Sequence, residues 1–221
     1  MLEAIIFDMD GVLLNSEPIY FEVEKALFQK LGLDISAAQH ETFVGMTMPA
    51  IWKIIKTENQ LDYSLEQLVE FHKKGIYRRF LEAEDLKPNP GLFSLLDFLK
   101  QMDFRMAVAS STNRELVEII LKKLNLIAYW QSFTGGDEVN LGKPQPDVFL
   151  LAAQKLAVAP QKCLVFEDSK NGVLAAKAAG MKVIGYQNSG SGRQDLSAAD
   201  AIISNFRDMD KIKKILAQKG E

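Results

Sequence analysis

The sequence predicts an α/β fold: a parallel sheet with helices on both faces, carrying an inserted all-helical domain. Three observations lead there. Short, wholly apolar runs alternate with amphipathic helical stretches. Acids, hydroxyls and a lysine stand at or near the ends of those runs. A long interval after the first run holds only helical patterns.

The first run is Ala4-Ile5-Ile6-Phe7, ending at Asp8. Runs without polar alternation suit parallel strands covered on both faces. Residues 104–109, 163–166 and 182–186 read the same way, and Ala201-Ile202-Ile203 is a shorter candidate. Between them, residues 91–102, 113–124, 146–156 and 171–179 place apolar side chains at three- and four-residue spacing, the helical period. Alternation of this kind gives a Rossmann-like parallel sheet core with right-handed crossovers. In such sheets ligands bind beyond the carboxyl ends of the strands.

The interval from about Ser16 to Leu86 is too long for one crossover. Three helical patterns fill it. One places Phe21, Val23, Ala26, Leu27 and Leu31 on a stripe. The second carries Trp52, Ile54 and Ile55. The third carries Leu68, Val69, Phe71, Ile76 and Phe80. The expected division is a core of residues 1–14 and 87–221 with a helical domain of residues 15–86. Lys87-Pro88-Asn89-Pro90-Gly91 has the composition of a hinge border. Asn188 to Gly192 reads as a flexible surface loop.

Composition narrows the function. The 221 residues suffice for one sizeable core with a smaller insert, and 48% hydrophobic with 25% charged residues is an ordinary globular balance. A net charge of -3 gives no reason to expect nucleic acid or an anionic membrane as partner. No apolar run is long enough to span a bilayer. Glu3 and Asp8 interrupt the start, so it does not read as a signal peptide. The lone Cys163 lies in an apolar run and is expected to be a small core hydrophobe rather than a reactive thiol. A reducing, cytoplasmic setting and a monomer are the expectation.

Four clusters carry chemistry. Asp8 and Asp10, followed by Gly11, close the first strand. Carboxylates this close raise each other's proton affinity unless a cation sits between them. They suit Mg²⁺ binding, a split of nucleophile and acid roles, or a plain turn. Ser110-Ser111-Thr112 follows the second run and precedes a helix, which suits a phosphate cradle or a simple helix cap. Lys143, in Gly142-Lys143-Pro144-Gln145-Pro146, suits either phosphoryl charge neutralisation or an ordinary surface lysine. Glu167-Asp168-Ser169 ends the 163–166 run and suits either metal ligation or helix capping. Each bland reading must hold independently at the same end of one sheet, which favours a common site.

In this order, Phe7-Asp8-Met9-Asp10-Gly11-Val12, then Ser110, Lys143-Pro144 and Phe166-Glu167-Asp168 resemble the haloacid dehalogenase superfamily over essentially the whole chain. The inserted bundle resembles its cap domain. The nearest subgroup is the one holding β-phosphoglucomutase and small phosphosugar phosphatases. The resemblance implies an aspartyl-phosphate on Asp8 and a Mg²⁺ ion held by Asp8, the Asp10 carbonyl and Asp168, with Glu167 behind them. It implies Asp10 as acid and base. The phosphoryl oxygens would be held by Ser110, Lys143 and the backbone around Met9, Asp10 and Ser111. It implies a small phosphorylated metabolite as substrate and a cap that closes over it. Candidate cap contacts are Ser16, Glu17, Gly45, Met46, Trp52, Lys73 and Lys74.

The chain departs from the mutase pattern. Tyr20 stands where the mutase has a histidine, and Met48 where it has an arginine. Met48 cannot supply the basic anchor for a second phosphate, which leaves Lys73 or Lys74 as the alternative source, and hydrolysis of a phosphate monoester is expected over a mutase reaction. A haloacid dehalogenase would not need Asp10 or Mg²⁺. A non-enzymatic phospho-acceptor domain would be shorter and would have no insert.

Overall fold

The computed structural model describes residues 1–36, 39, 43, 48–188, 190, 192 and 194–217. The chain folds as two compact units, Met1–Asn15 with Asp85–Glu221, and Ser16–Glu84. Among the described residues there are six strands and eight α-helices.

The larger unit is built on one sheet. Its strands are β1 (Ala4–Phe7), β2 (Arg105–Ala109), β3 (Ser132–Thr134), β4 (Cys163–Glu167), β5 (Lys182–Tyr186) and β6 (Ala201–Ile203). All pairings are parallel, in the order β3-β2-β1-β4-β5-β6. Every residue of β1 is fully buried, as its unbroken apolar run requires. Alternate side chains face opposite sides of the sheet. On one side Ile6, Ala107, Val165 and Val183 pack with Val148, Phe149 and Ala152 of one helix (Asp147–Lys155) and Val173 of another (Lys170–Ala178). On the other side Phe7 stacks on Phe166 at 4.7 Å, and Phe166 meets Phe206 edge-on at 5.8 Å. The helix Leu92–Gln101 buries Leu92, Leu95, Leu96 and Leu99 at helical spacing. Cys163 lies in the core, its thiol pushed up to about 11 by burial.

The smaller unit contains α1 (Glu17–Lys30), α2 (Met48–Asn59) and α3 (Leu65–Glu82). Ser64 and Gln67 cap α3 reciprocally, satisfying backbone donors that the first turn would otherwise leave unpaired. Leu27, Phe28, Phe43, Ile51, Trp52, Ile55 and Leu68 form its core. Two expected stripes hold in part. In α1 the buried line runs through Ile19, Val23, Leu27 and Phe28, leaving Phe21 42% exposed and Ala26 outside. In α3 it runs Leu68, His72, Ile76 and Phe80 at four-residue spacing, and Phe71 is 38% exposed. Phe71 instead meets the Tyr63 ring at 5.7 Å.

Three features escape the sequence patterns. β3 is three residues long and only half-buried, so it carries no apolar run. The helix Met209–Leu216 follows the last strand, and half of its residues are charged. Asn188 is not an ordinary loop residue, because its Nδ2 donates to the Gly11 carbonyl at 3.0 Å. No helix among the described residues is long and apolar enough to cross a membrane.

Candidate active site

The strand order turns at β1: the chain goes to β2 and β3 on one side and to β4, β5 and β6 on the other. Such a switch point opens a crevice at the carboxyl ends of the central strands. Asp8 follows β1, Ser110 follows β2 and Glu167 closes β4. The registers Phe7↔Val108 and Phe7↔Phe166 bring these three ends level. Asp8 is fixed in turn, since its N–H donates to the Phe166 carbonyl at 2.9 Å.

The chain then bends sharply. Gly11 has φ 78°, a conformation that glycine adopts without a side-chain clash. The buried Asn89 holds this bend from the returning segment, its Nδ2 donating to the carbonyls of Gly11 and Val12 at 2.8 Å each. Met9, between the two acids, is fully buried.

Lys143 is no surface lysine. Its side chain is 8% exposed, and its ammonium donates to Asp8 Oδ1 at 2.5 Å and Glu167 Oε2 at 2.7 Å. It also stands over the Phe149 ring at 4.8 Å. Burial by itself would depress this ammonium, but Asp8 and Glu167 more than offset it and hold it above its usual range. For Asp8 the balance runs the other way. Burial, then Glu167, with Asp168 and Asp10, push its carboxyl well above the carboxylate range, and Lys143 only partly pulls it back.

Glu167 is the anchor of this cluster. Its Oε1 accepts the N–H groups of Asp168 and Ser169 at 3.1 and 2.9 Å and the Ser169 hydroxyl at 2.7 Å. With Oε2 taken by Lys143, both oxygens are committed. Glycine at 172 makes this possible, because a Cβ there would stand 1.9 Å from Glu167 Cδ. The helix cap is Ser169, whose hydroxyl accepts the Gly172 N–H at 3.0 Å, so Asp168 does not serve that purpose.

The hydroxyl loop after β2 is likewise not a helix cap. Asn113 fills that place, its side chain accepting from the Leu116 N–H at 2.8 Å. Ser110 is fully buried, and its Oγ accepts the Thr112 N–H at 3.0 Å. Thr112 Oγ1 lies 2.9 Å from Asp10 Oδ2, with Ser110 Oγ at 3.4 Å. Ser111 is exposed.

Asp8, Glu167 and Asp168 offer carboxylate oxygens within 4.8 Å of one another, all three residues buried. Three carboxylates beside one ammonium leave an excess of buried negative charge, which adds to burial in raising the Asp8 pKa. An all-oxygen donor set with such an excess fits a hard divalent cation.

The structure brings together Asp8, Asp10, Ser110, Lys143, Glu167 and Asp168, all expected from sequence. It adds Thr112, Asn89, Ser169 and Gly172. Of these, only the two hydroxyls had a signal, as neighbours of expected residues. The expected contacts in the helical unit fare differently. Trp52 is fully buried in its core, with Nε1 donating to His72 Nδ1 at 3.1 Å, so it packs the bundle instead of facing a ligand. Met48 is half-buried against the same core. Ser16 is buried, and its carbonyl accepts from Ile19 and Tyr20 in the first turn of α1. Glu17 is half-buried, and Lys73 and Lys74 are exposed, Lys74 pairing with Glu70 at 3.3 Å. Gly45 and Met46 lie outside the described residues.

Comparison with known proteins agrees with the class this fold and cluster define. Residues 5–186 match the haloacid dehalogenase-like hydrolase family, and the chain belongs to it. It is 37% identical over 188 residues to a phosphorylated carbohydrates phosphatase of Thermotoga maritima, covering 83% of this chain and 84% of that one. It is 31% identical over 186 residues to a fructose-1-phosphate phosphatase of Escherichia coli, covering 82% of this chain and 94% of the relative. A crystal structure from Thermotoga maritima, provisionally named a beta-phosphoglucomutase, superposes with a TM-score of 0.78 at 34% identity, covering 97% of this chain and all of that one.

Proposed function

We propose that this chain is a Mg²⁺-dependent phosphatase that hydrolyses a small phosphate monoester, a phosphosugar, through an aspartyl-phosphate on Asp8. The observation that carries this reading is the buried Lys143 ammonium bridging Asp8 and Glu167 at the switch point of the sheet. The names of the two relatives, one acting on phosphorylated carbohydrates and one on fructose 1-phosphate, support the substrate class.

An Asp8 carboxylate oxygen, the Asp10 carbonyl and an Asp168 carboxylate oxygen would hold the metal. When bound, Mg²⁺ supplies positive charge that offsets the repulsion between the Asp8 carboxylate and a phosphoryl group. Glu167 stands behind them, because its oxygens are committed to Lys143, Ser169 and the Asp168 N–H. Asp8 attacks phosphorus, and the bond from phosphorus to the substrate oxygen breaks. Asp10 gives that departing oxygen a proton. Water then attacks the acyl phosphate, passes its proton to Asp10, and releases inorganic phosphate with Asp8 restored. Lys143, Ser110, and the N–H groups of Met9, Asp10 and Ser111 hold the phosphoryl oxygens, and Lys143 neutralises charge as it develops.

The competing reading is a phosphosugar mutase, which the name of the superposed structure favours. It needs a basic anchor for a second phosphate, and Met48 packs against the helical core instead of offering one. A screen of phosphorylated metabolites with phosphate release as readout tests the proposal. β-Glucose 1-phosphate with a catalytic bisphosphate separates the two readings. Faster formation of inorganic phosphate than of glucose 6-phosphate supports the phosphatase, and the reverse order supports the mutase.

A further inference from the structure

We propose that Thr112 is a positioning residue for Asp10, holding its carboxyl group in one orientation while it gives up and takes back a proton. The inference rests on the phosphatase reading, in which Asp10 is the acid and base.

The Thr112 hydroxyl lies 2.9 Å from Asp10 Oδ2, whereas Ser110, the family-motif hydroxyl, is at 3.4 Å. Thr112 is itself held from several directions. Its N–H donates to Ser110 Oγ at 3.0 Å, and its carbonyl accepts the Gly136 N–H at 2.8 Å. Gly136 must lack a side chain for that approach, since a Cβ there would stand 2.3 Å from the Ser111 carbonyl oxygen. Two residues upstream of Thr112, the Ser110 N–H donates to the Thr134 carbonyl at 3.0 Å, tying the loop to β3. A β-branched side chain on this backbone has little rotamer freedom, so its hydroxyl arrives aimed.

The chemistry favours a hydroxyl here. Asp10 must alternate between carboxylate and carboxylic acid. A backbone N–H or a lysine can only donate, and would oppose the protonated form. A hydroxyl donates to the carboxylate and rotates to accept from the acid, so the same contact survives both states. Small errors in the placement of a proton donor are expensive in rate.

The test uses leaving groups of different basicity. The kcat/KM covers the step in which the leaving group departs, and help from a general acid matters most when that group is a poor one. Thr112→Val is expected to lose about tenfold in kcat/KM on phenyl phosphate and to stay within about twofold on p-nitrophenyl phosphate. Thr112→Ser, which keeps the hydroxyl, is expected to recover most of the loss. Thr112→Ala repeats the comparison should valine disturb the loop. A role confined to structure would lower both substrates alike. Equal losses, no loss, or failure of serine to recover overturn the inference. Asp8→Asn is run alongside. If it keeps wild-type turnover, the aspartyl-phosphate mechanism on Asp8 falls and takes this inference with it. If it is inactive while Thr112→Val affects both substrates equally, only the role of Thr112 is overturned.

Discussion

The ammonium of Lys143 lies 2.5 Å from the Asp8 carboxylate, and both side chains are more than nine-tenths buried. Buried charges persist only when paired and hydrogen-bonded. Here the pairing extends to Glu167, which Ser169 and two backbone N–H groups hold in place. The cluster is therefore one electrostatic unit, and its members should fail together.

Removing the cation should be damaging twice over. Lys143→Met leaves Asp8 and Glu167 buried without their partner, a loss of about 3 kcal/mol in stability. It also strips the proposed phosphoryl site of the Lys143 charge. Urea unfolding and phosphate release would read the two effects, and an unchanged urea midpoint contradicts the pairing.

Chelation should stop turnover. EDTA is expected to abolish phosphate release and Mg²⁺ to restore it. Mg²⁺ alone should raise the thermal midpoint, because a ligand of the folded state stabilises it by mass action. Full activity without metal would point to the dehalogenase chemistry instead.

Glycine at 172 should be required. A Cβ there meets the Glu167 carboxyl group at 1.9 to 2.3 Å, so Gly172→Ala must displace Glu167 or its helix. A stability loss of about 1–3 kcal/mol is expected, with loss of activity as Glu167 moves away from Lys143. Gly142→Ala, whose Cβ meets nothing within 4 Å, should stay within about 0.5 kcal/mol. Equal stability of the two variants contradicts the close approach.

These results also mark what the sequence makes legible. β1, β5 and β6 are readable residue for residue; in β1 the unbroken apolar run both signals and requires burial on two faces, whereas in β6 it marks a strand whose Ile202 is 41% exposed. Asp8, Asp10, Lys143 and Glu167 are readable because their charge at a strand end or beside prolines is conspicuous. Gly172 and Asn89 are not. Asn89 matters through a hydrogen bond to Gly11, far away in sequence, and Gly172 through the close approach of the Glu167 carboxyl group, which only the folded turn creates. Single positions in α1 and α3 are misread for a related reason. Val23 and Leu27, and Leu68, Ile76 and Phe80, face inward as expected, but Phe21 and Phe71 look like core residues by type and lie off those lines, while the polar His72 lies on one.

His72 gives the helical unit a dependence on pH. It is buried against Trp52, with Glu24 Oε1 3.6 Å from its Nε2, and burial lowers its pKa from 6.5 to about 4. Between those values the unfolded chain binds a proton that the folded chain refuses. This stabilising contribution is complete above pH 6.5 and is lost as the pH falls from there toward 4. Going from pH 7 to pH 5 should remove about 2 kcal/mol of stability. His72→Gln, which can still accept from Trp52, should flatten that dependence in urea titrations. A profile unchanged by the substitution contradicts a neutral, buried His72.

The central claim is that Asp8 attacks phosphorus. The most direct measurement compares wild type with Asp8→Asn on p-nitrophenyl phosphate in excess Mg²⁺, with circular dichroism to verify that both are folded. The account predicts turnover by the wild type and none above background by a folded Asp8→Asn. Substantial turnover by the folded variant would contradict it.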